Sequence, residues 1–125
     1  MLTAADGSRW VLRKKPPGHL LRGAHQIERE YRVINALQDT RVPVPRTVCL
    51  CEDDAVIGTP FYIMEFMNGR VFDNSDLKEL PEAERTAVYA SVVDTMVALH
   101  AVDYKAVGLE GFGRDSGYVQ RQTRT

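Results

Sequence analysis

Two charged side chains at separate places in the chain could together handle a phosphate group. Arg13 ends Trp10-Val11-Leu12-Arg13, a short apolar stretch typical of a strand. Glu30 lies in a segment whose apolar residues recur at helical spacing. A carboxylate that pairs with a guanidinium can hold it in one orientation. The pair could therefore present Arg13 to phosphate oxygens, although Glu28 is a competing partner and either charge alone is more often simply solvated.

A second feature is an apolar strand that runs into a glycine turn. Phe61 to Phe66 is rich in aromatic and other apolar residues, and Met67-Asn68-Gly69 follows it directly. This pattern resembles a kinase hinge, and the resemblance implies that the backbone of Glu65 and Met67 recognises a flat ring without help from particular side chains. A buried edge strand explains the same pattern equally well.

The elements that must position these residues alternate between strands and helices. Asp6-Gly7 supplies a tight turn between Leu2-Thr3 and Trp10-Val11-Leu12, which predicts a β-hairpin. Pro16-Pro17-Gly18 ends the second strand, and a loop to about Gly23 leads into a predicted helix from Ala24 to Leu37. Two further strands are predicted at Thr47–Cys51 and Phe61–Phe66, joined by a turn from Glu52 to Gly58. Asn74 to Glu79 is predicted to be a loop or a short helical turn.

The longest predicted helix runs from about Pro81 to Val102. Proline suits a first helical position, and Val88, Val92, Met96 and Leu99 form its apolar face. His100 is interpreted as a structural residue at the helix end. A glycine-rich loop follows, and Gly117 to Thr125 has the composition of a further helix start. The order of elements predicts an α+β fold with an antiparallel sheet.

Composition excludes several classes of function. The 125 residues carry a net charge of -1 and no basic stripe, so nucleic acid is a poor partner. No apolar stretch approaches the roughly 20 residues that cross a bilayer, and the N-terminus does not resemble a secretory signal, so we expect a cytoplasmic protein. Cys49 and Cys51 lack further ligands for a zinc site and are predicted to be ordinary packing residues.

Five segments together carry a resemblance to a known family. They are Val11-Leu12-Arg13-Lys14-Lys15-Pro16-Pro17-Gly18, Glu28-Arg29-Glu30-Tyr31, Val42-Pro43-Val44-Pro45, Ile57-Gly58-Thr59-Pro60-Phe61-Tyr62-Ile63-Met64-Glu65 and Ala98-Leu99-His100-Ala101-Val102-Asp103. The chain resembles the aminoglycoside phosphotransferase and choline kinase superfamily, and most closely the kinase-like domains fused to acyl-CoA dehydrogenases. The resemblance covers nearly the whole chain.

The resemblance implies a kinase-like N-lobe, made of an antiparallel sheet and one helix, followed by a hinge and the first helix of the C-lobe. Residues 1–67 would be the partial N-lobe with its hinge, and 68–125 the linker and partial C-lobe. Arg13 would take the place of the phosphate-contacting lysine, with Glu30 as its partner. The Glu65 carbonyl and the Met67 amide would bind adenine, so the implied cofactor is ATP, with magnesium in the full-length protein.

The family's His-Gly-Asp loop, its asparagine and its metal-binding aspartate have no match in this sequence. We therefore expect a chain cut at both ends, with no catalytic or metal-binding residue and at best weak ATP binding. The small-molecule substrate would bind in the missing C-lobe. Exposed apolar surface should follow, and with it self-association or marginal stability. The alternatives are a non-catalytic kinase-like module, with an acyl-CoA dehydrogenase as partner or fusion, and a truncated reading frame without function.

Overall fold

The computed structural model describes residues 1–16, 26–113, 116–117 and 123. In chain order the elements are β1 (Leu2–Thr3), β2 (Arg9–Lys14), α1 (Ile27–Ala36), β3 (Thr47–Cys51), α2 (Asp54–Ile57), β4 (Phe61–Glu65) and α3 (Glu82–His100). The four strands form one sheet in the order β1-β2-β4-β3, and every neighbouring pair is antiparallel. The predicted α+β class with an antiparallel sheet is confirmed.

The turn between β1 and β2 follows from its sequence. Gly7 has a φ of 84°, a torsion that glycine adopts without steric cost. The Asp6 carboxylate accepts a hydrogen bond from the Ser8 amide at 2.9 Å, and bonds from Ser8 lower the pKa of Asp6. These contacts close the hairpin that leads into β2, the strand that carries Arg13.

Helix α1 lies across β3 and β4 and closes the core on one face of the sheet. Its apolar residues follow the helical period, and Ile27 is fully buried. Tyr31 of α1 meets Tyr62 of β4 edge to face, with ring centroids 5.9 Å apart. The buried apolar residues of the described chain are Ile27, Leu37, Val42, Phe61, Tyr62 and Leu77.

Several element boundaries differ from the sequence prediction. Helix α1 begins at Ile27, and Ala24 lies outside the described residues, as do the loop from Pro17 to Gly23 and most of Gly117 to Thr125. The predicted turn from Glu52 to Gly58 is wrong in part, because its middle folds into helix α2. The Asp53 carboxylate caps α2 by accepting from the Ala55 amide at 2.8 Å, and Gly58 ends it with a φ of 82°.

Helix α3 is mostly exposed. Of the predicted apolar face, Val88 is half-buried, whereas Val92, Met96 and Leu99 are exposed. The apolar residues Tyr89, Val93 and Val97 extend the exposed surface around the helix. The prediction of exposed apolar area is therefore confirmed. No helix in the described part of the chain is both long enough and apolar enough to cross a membrane.

The cysteines lie on strand β3 at one edge of the sheet. Both are free thiols; Cys49 is exposed and Cys51 is half-buried. The prediction that both are packing residues is wrong for Cys49. A register shift between Thr47 and Cys49 disrupts the regular pairing of β3 with β4, so simple alternation along the strand did not describe its environment.

Candidate functional site

The structure brings Arg13 and Glu30 together across 17 residues of sequence. The Arg13 Nε donates to Glu30 Oε2 at 3.1 Å, and Nη2 donates to Oε1 at 3.3 Å, so the guanidinium faces the carboxylate with two nitrogens. The bond to Glu30 raises the pKa of Arg13 above its ordinary value. Within the described residues the side chain of Glu28 forms no hydrogen bond or ion pair, which leaves Glu30 as the partner.

The ion pair is only partly covered. The side chains of Arg13 and Glu30 are 39% and 33% exposed. Pairs of this exposure contribute about 0 to 1 kcal/mol to the free energy of unfolding. The contact therefore fixes the direction of the guanidinium more than it stabilises the fold, and the remaining exposed face of Arg13 is accessible to an anion.

Tyr62 is a third member of this cluster that the sequence analysis did not single out. It is the cross-strand partner of Arg13, and its hydroxyl donates to Glu30 Oε2 at 3.5 Å. Burial raises the pKa of Tyr62, and the negative charge of Glu30 raises it further. Burial and the Glu30 charge therefore keep Tyr62 in its neutral form, in which its hydroxyl can donate to Glu30. Only the β2–β4 register shows this, and register is not visible in one sequence.

The end of β4 is fixed by Arg46, which precedes β3. The Glu65 amide donates to the Arg46 carbonyl at 2.8 Å, and Glu65 Oε2 accepts from the Arg46 amide at 3.3 Å. On the other side of β4 the Phe66 amide donates to the Arg9 carbonyl, and the Arg9 guanidinium lies 4.3 Å from the Phe66 ring centroid. The backbone that enters the predicted hinge is thus held from both neighbouring strands.

Met67 follows this anchored segment and remains available. Within the described chain its amide forms no hydrogen bond, and the residue is 58% exposed. The register of β2 with β4 places Trp10 opposite Glu65 and Arg13 opposite Tyr62. Three residues of strand separate the hinge end from the cation, a distance of about 10 Å. This spacing suits a ligand with a flat base at one end and phosphates at the other.

Alternation along β2 identifies one further position on this face. Val11 lies two residues before Arg13 and therefore points to the same side of the sheet, opposite Met64 of β4. Both residues are half-buried. They form an apolar surface between the predicted hinge and the cation, where a base could pack. The two-residue spacing from Arg13 was a signal for Val11 in the sequence itself.

One cleft in the described part of the chain lies away from Arg13. It has a volume of about 700 Å³ and is lined by Ser8, Arg9, Trp10, Arg46, Thr47, Val48, Glu65 and Phe66. It reaches the hinge end of the sheet but includes neither Arg13 nor Glu30. Because phosphate binding needs an oriented cation, we place the candidate site along the Arg13 face of β2 and not in this cleft. Among the described residues no group of three or more acidic, histidine or cysteine side chains is placed to hold a metal ion.

A family model described as the phosphotransferase enzyme family matches residues 1–125. The chain belongs to this family. A crystal structure from Ralstonia eutropha, provisionally assigned as an aminoglycoside phosphotransferase, is 47% identical with a TM-score of 0.78, and the match covers 94% of this chain and 33% of that one. The predicted kinase-like N-lobe is confirmed by this likeness.

Two relatives of this chain are named for acyl-CoA dehydrogenases. "Probable acyl-CoA dehydrogenase IBR3" of Arabidopsis thaliana is 50% identical over 115 residues, which cover 91% of this chain and 14% of the relative. "Acyl-CoA dehydrogenase family member 11" of Homo sapiens is 47% identical over 116 residues, which cover 93% of this chain and 15% of the relative. The chain thus spans about a seventh of the length of these relatives, and the predicted resemblance to such kinase-like domains is confirmed.

Proposed function

We propose that this chain supplies the nucleotide-binding part of an ATP-dependent phosphotransferase that acts on a hydroxyl group of a small molecule. The single observation that carries the proposal is the two-point contact of Arg13 with Glu30. It orients a cation three residues along the sheet from Glu65, where the proposed hinge begins. In the proposed organisation 1–67 is the partial N-lobe with its hinge, and 68–125 is the linker and the start of the C-lobe.

ATP, with magnesium bound in the full-length protein, would supply the phosphoryl group for transfer. Arg13 would bind its phosphates, while Glu30 keeps the guanidinium pointed towards them. The Glu65 carbonyl and the Met67 amide would bind the adenine edge. Phosphoryl transfer also needs an aspartate that accepts the hydroxyl proton and side chains that hold magnesium. We propose that these lie in the part of the family fold that this chain does not span, so that the chain alone is inactive.

A titration that compares ATP with adenosine tests the proposal. We expect the isotope-labelled chain to bind ATP with a dissociation constant on the order of 1 mM, and adenosine more weakly, because only ATP reaches Arg13. Arg13→Ala should raise the dissociation constant of ATP about tenfold, as expected for a charge-assisted hydrogen bond, and leave that of adenosine unchanged. Chemical-shift changes at each amide report both affinities.

Lys14→Ala provides the matched control. Lys14 is the next cation on β2, is exposed, and points to the opposite face of the sheet. It should leave the affinity for ATP unchanged. If Arg9→Ala weakens ATP binding while Arg13→Ala does not, the nucleotide occupies the large cleft and the proposal is wrong.

A second candidate is a kinase-like binding module that acts with an acyl-CoA dehydrogenase, which the names of the two relatives favour. Reading the coding DNA on both sides of this sequence separates the candidates. A downstream His-Gly-Asp loop with an asparagine and a later aspartate supports the enzyme, whereas a continuation without them supports the binding module. For either candidate, the free thiols Cys49 and Cys51 favour the cytoplasm as the compartment.

A further inference from the structure

The segment after α3 returns to helix α1, 76 to 83 residues earlier in the chain. We call residues 104–112 the return segment. Its turns are closed by backbone bonds, among them Leu109 amide to Tyr104 carbonyl at 2.8 Å and Phe112 amide to Leu109 carbonyl at 3.0 Å. Gly108 and Gly111 have φ values of 77° and 69°, which other residues rarely adopt. The segment therefore has a defined shape.

Two arginines of α1 bind the return segment. Arg29 Nη2 donates to the Phe112 carbonyl at 2.8 Å, and Arg32 Nη2 donates to the Gly108 carbonyl at 3.0 Å. The Arg29 guanidinium also lies 3.9 Å from the centroid of the Phe112 ring, and that of Arg32 lies 5.6 Å from it. Arg29 thus holds Phe112 by both its ring and its carbonyl. Arg29 and Arg32, three residues apart, share one side of the helix.

The opposite side of α1 carries the groups that face the sheet. Ile27 is fully buried, Tyr31 stacks on Tyr62, and Glu30 binds Arg13. The side chain of Gln26, the N-cap residue of α1, forms no capping hydrogen bond in the described chain. A short helix held on one side only can rotate about its axis. The return segment supplies the second point of attachment.

We infer that Phe112, through Arg29 and Arg32, is a positioning residue that sets the rotation of α1 and with it the ion pair of Glu30 and Arg13. The inference rests on the proposed function only for its effect on ATP. The phosphate side of the site, Arg13 and Glu30, then depends on the return segment, which follows α3 in the sequence. In the described chain the proposed adenine side, β4 and Met67, forms no hydrogen bond or cation–π contact with the return segment.

Phe112→Leu is the test substitution, because it removes the ring and keeps an apolar side chain and the carbonyl. The first measurement is the NMR signal of the Arg13 Nε–H in the free chain. We expect it to shift towards the value of Glu30→Gln, in which the ion pair is broken, and to exchange faster with water. The amides of α1 should also exchange faster. An unchanged Arg13 signal overturns the inference, whatever the chain binds.

The second measurement compares ATP with adenosine. In Phe112→Leu the dissociation constant of ATP should rise about two- to fivefold, as expected for the loss of an exposed cation–π contact, with that of adenosine unchanged. An equal loss of both affinities indicates general destabilisation and contradicts a positioning role. If Arg13→Ala does not weaken ATP binding, the proposed function fails; the Arg13 signal still decides the inference.

Phe72→Leu is the matched control. Phe72 also lies under an arginine, with the Arg70 guanidinium 5.4 Å from its ring centroid, and it is half-buried like Phe112. It precedes α3 and forms no hydrogen bond or ring contact with α1 in the described chain. Its substitution should leave the Arg13 signal in place. If Phe72→Leu shifts that signal as far as Phe112→Leu does, the effect is not specific to the return segment and the inference is wrong.

Discussion

At the scale of single residues, the arginine at position 13 determines how the cation can be held. Its planar guanidinium contacts both oxygens of Glu30, whereas a lysine at this position would contact a carboxylate as a point charge. Arg13→Lys should therefore keep the charge but lose its fixed direction. We expect ATP affinity to fall about three- to tenfold, with adenosine affinity and melting temperature nearly unchanged. Full retention of ATP affinity would contradict the role of the two-point contact.

Tyr62 gives a second residue-scale prediction, on stability in alkali. Its pKa is raised in the folded chain, so below pH 10 the side chain is protonated in both the folded and the unfolded chain. In that range it does not change how the free energy of unfolding depends on pH. Above about pH 10 the unfolded chain releases this proton and the folded chain keeps it, so the free energy of unfolding falls as pH rises. Tyr62→Phe should make this fall shallower in urea titrations between pH 8 and 11.

Tyr104→Phe is the control, because Tyr104 is 47% exposed and lies outside the core. It should leave the alkaline slope unchanged. The same slope in Tyr62→Phe as in the parent chain would show that burial beside Glu30 does not hold the proton on Tyr62.

Site residues could be predicted from the sequence where their role depends on residue type. They could not be predicted where their role depends on how neighbouring strands align. Arg13 and Glu30 could be predicted as a pair because each lies at a recognisable point of its strand or helix. Tyr62 could not, since its position opposite Arg13 follows from how β2 and β4 align. Glu28 could be set aside only once the side of α1 that faces the sheet was known.

At the scale of elements, the shape of the return segment depends on its glycines. Gly108 has a positive φ, and a Cβ built there meets no atom within 4 Å, so the cost of Gly108→Ala comes from the backbone alone. We expect it to lower the free energy of unfolding by about 1 kcal/mol. Gly113→Ala has the same open surroundings without the positive φ and should have little effect. Equal effects of the two in urea unfolding would contradict this assignment.

Local signals explain which elements could be predicted. Hairpin β1–β2, strands β3 and β4 and helices α1 and α3 each have a turn or a repeating apolar pattern in the sequence. Helix α2 was missed because one helical turn is too short to show a period, although Asp53 and Gly58 are its caps. The contact of α1 with the return segment joins residues 83 apart, and no local pattern indicates such a pairing.

At the scale of the whole molecule, polar contacts join α3 to the segment that precedes it. Arg70 pairs with Glu84 at 3.3 Å, and the Tyr89 hydroxyl donates to the Ser75 carbonyl at 2.5 Å. Much of its apolar surface is open, with Val93 57% and Val97 62% exposed. Such surface favours association between copies of the chain.

We therefore expect the chain to self-associate with rising concentration in sedimentation velocity. Val93→Glu combined with Val97→Glu should weaken this by placing charges on the exposed surface, because burying them in an interface is costly. Ser91→Glu adds a charge at an exposed polar position of α3 and is the control. A monomer at all concentrations, or association that persists in the double variant, would contradict the prediction.

The return segment also has a consequence for the order of events on the ribosome. Arg13 and Glu30 are 17 residues apart, whereas Arg29 and Phe112 are 83 apart. At typical rates of synthesis, Phe112 is added about 4 to 17 s after Arg29. Nascent α1 can therefore reach the emerging sheet, and Glu30 can find Arg13, well before Phe112 exists. The contact of Phe112 with Arg29 is then added to a helix that is already in place.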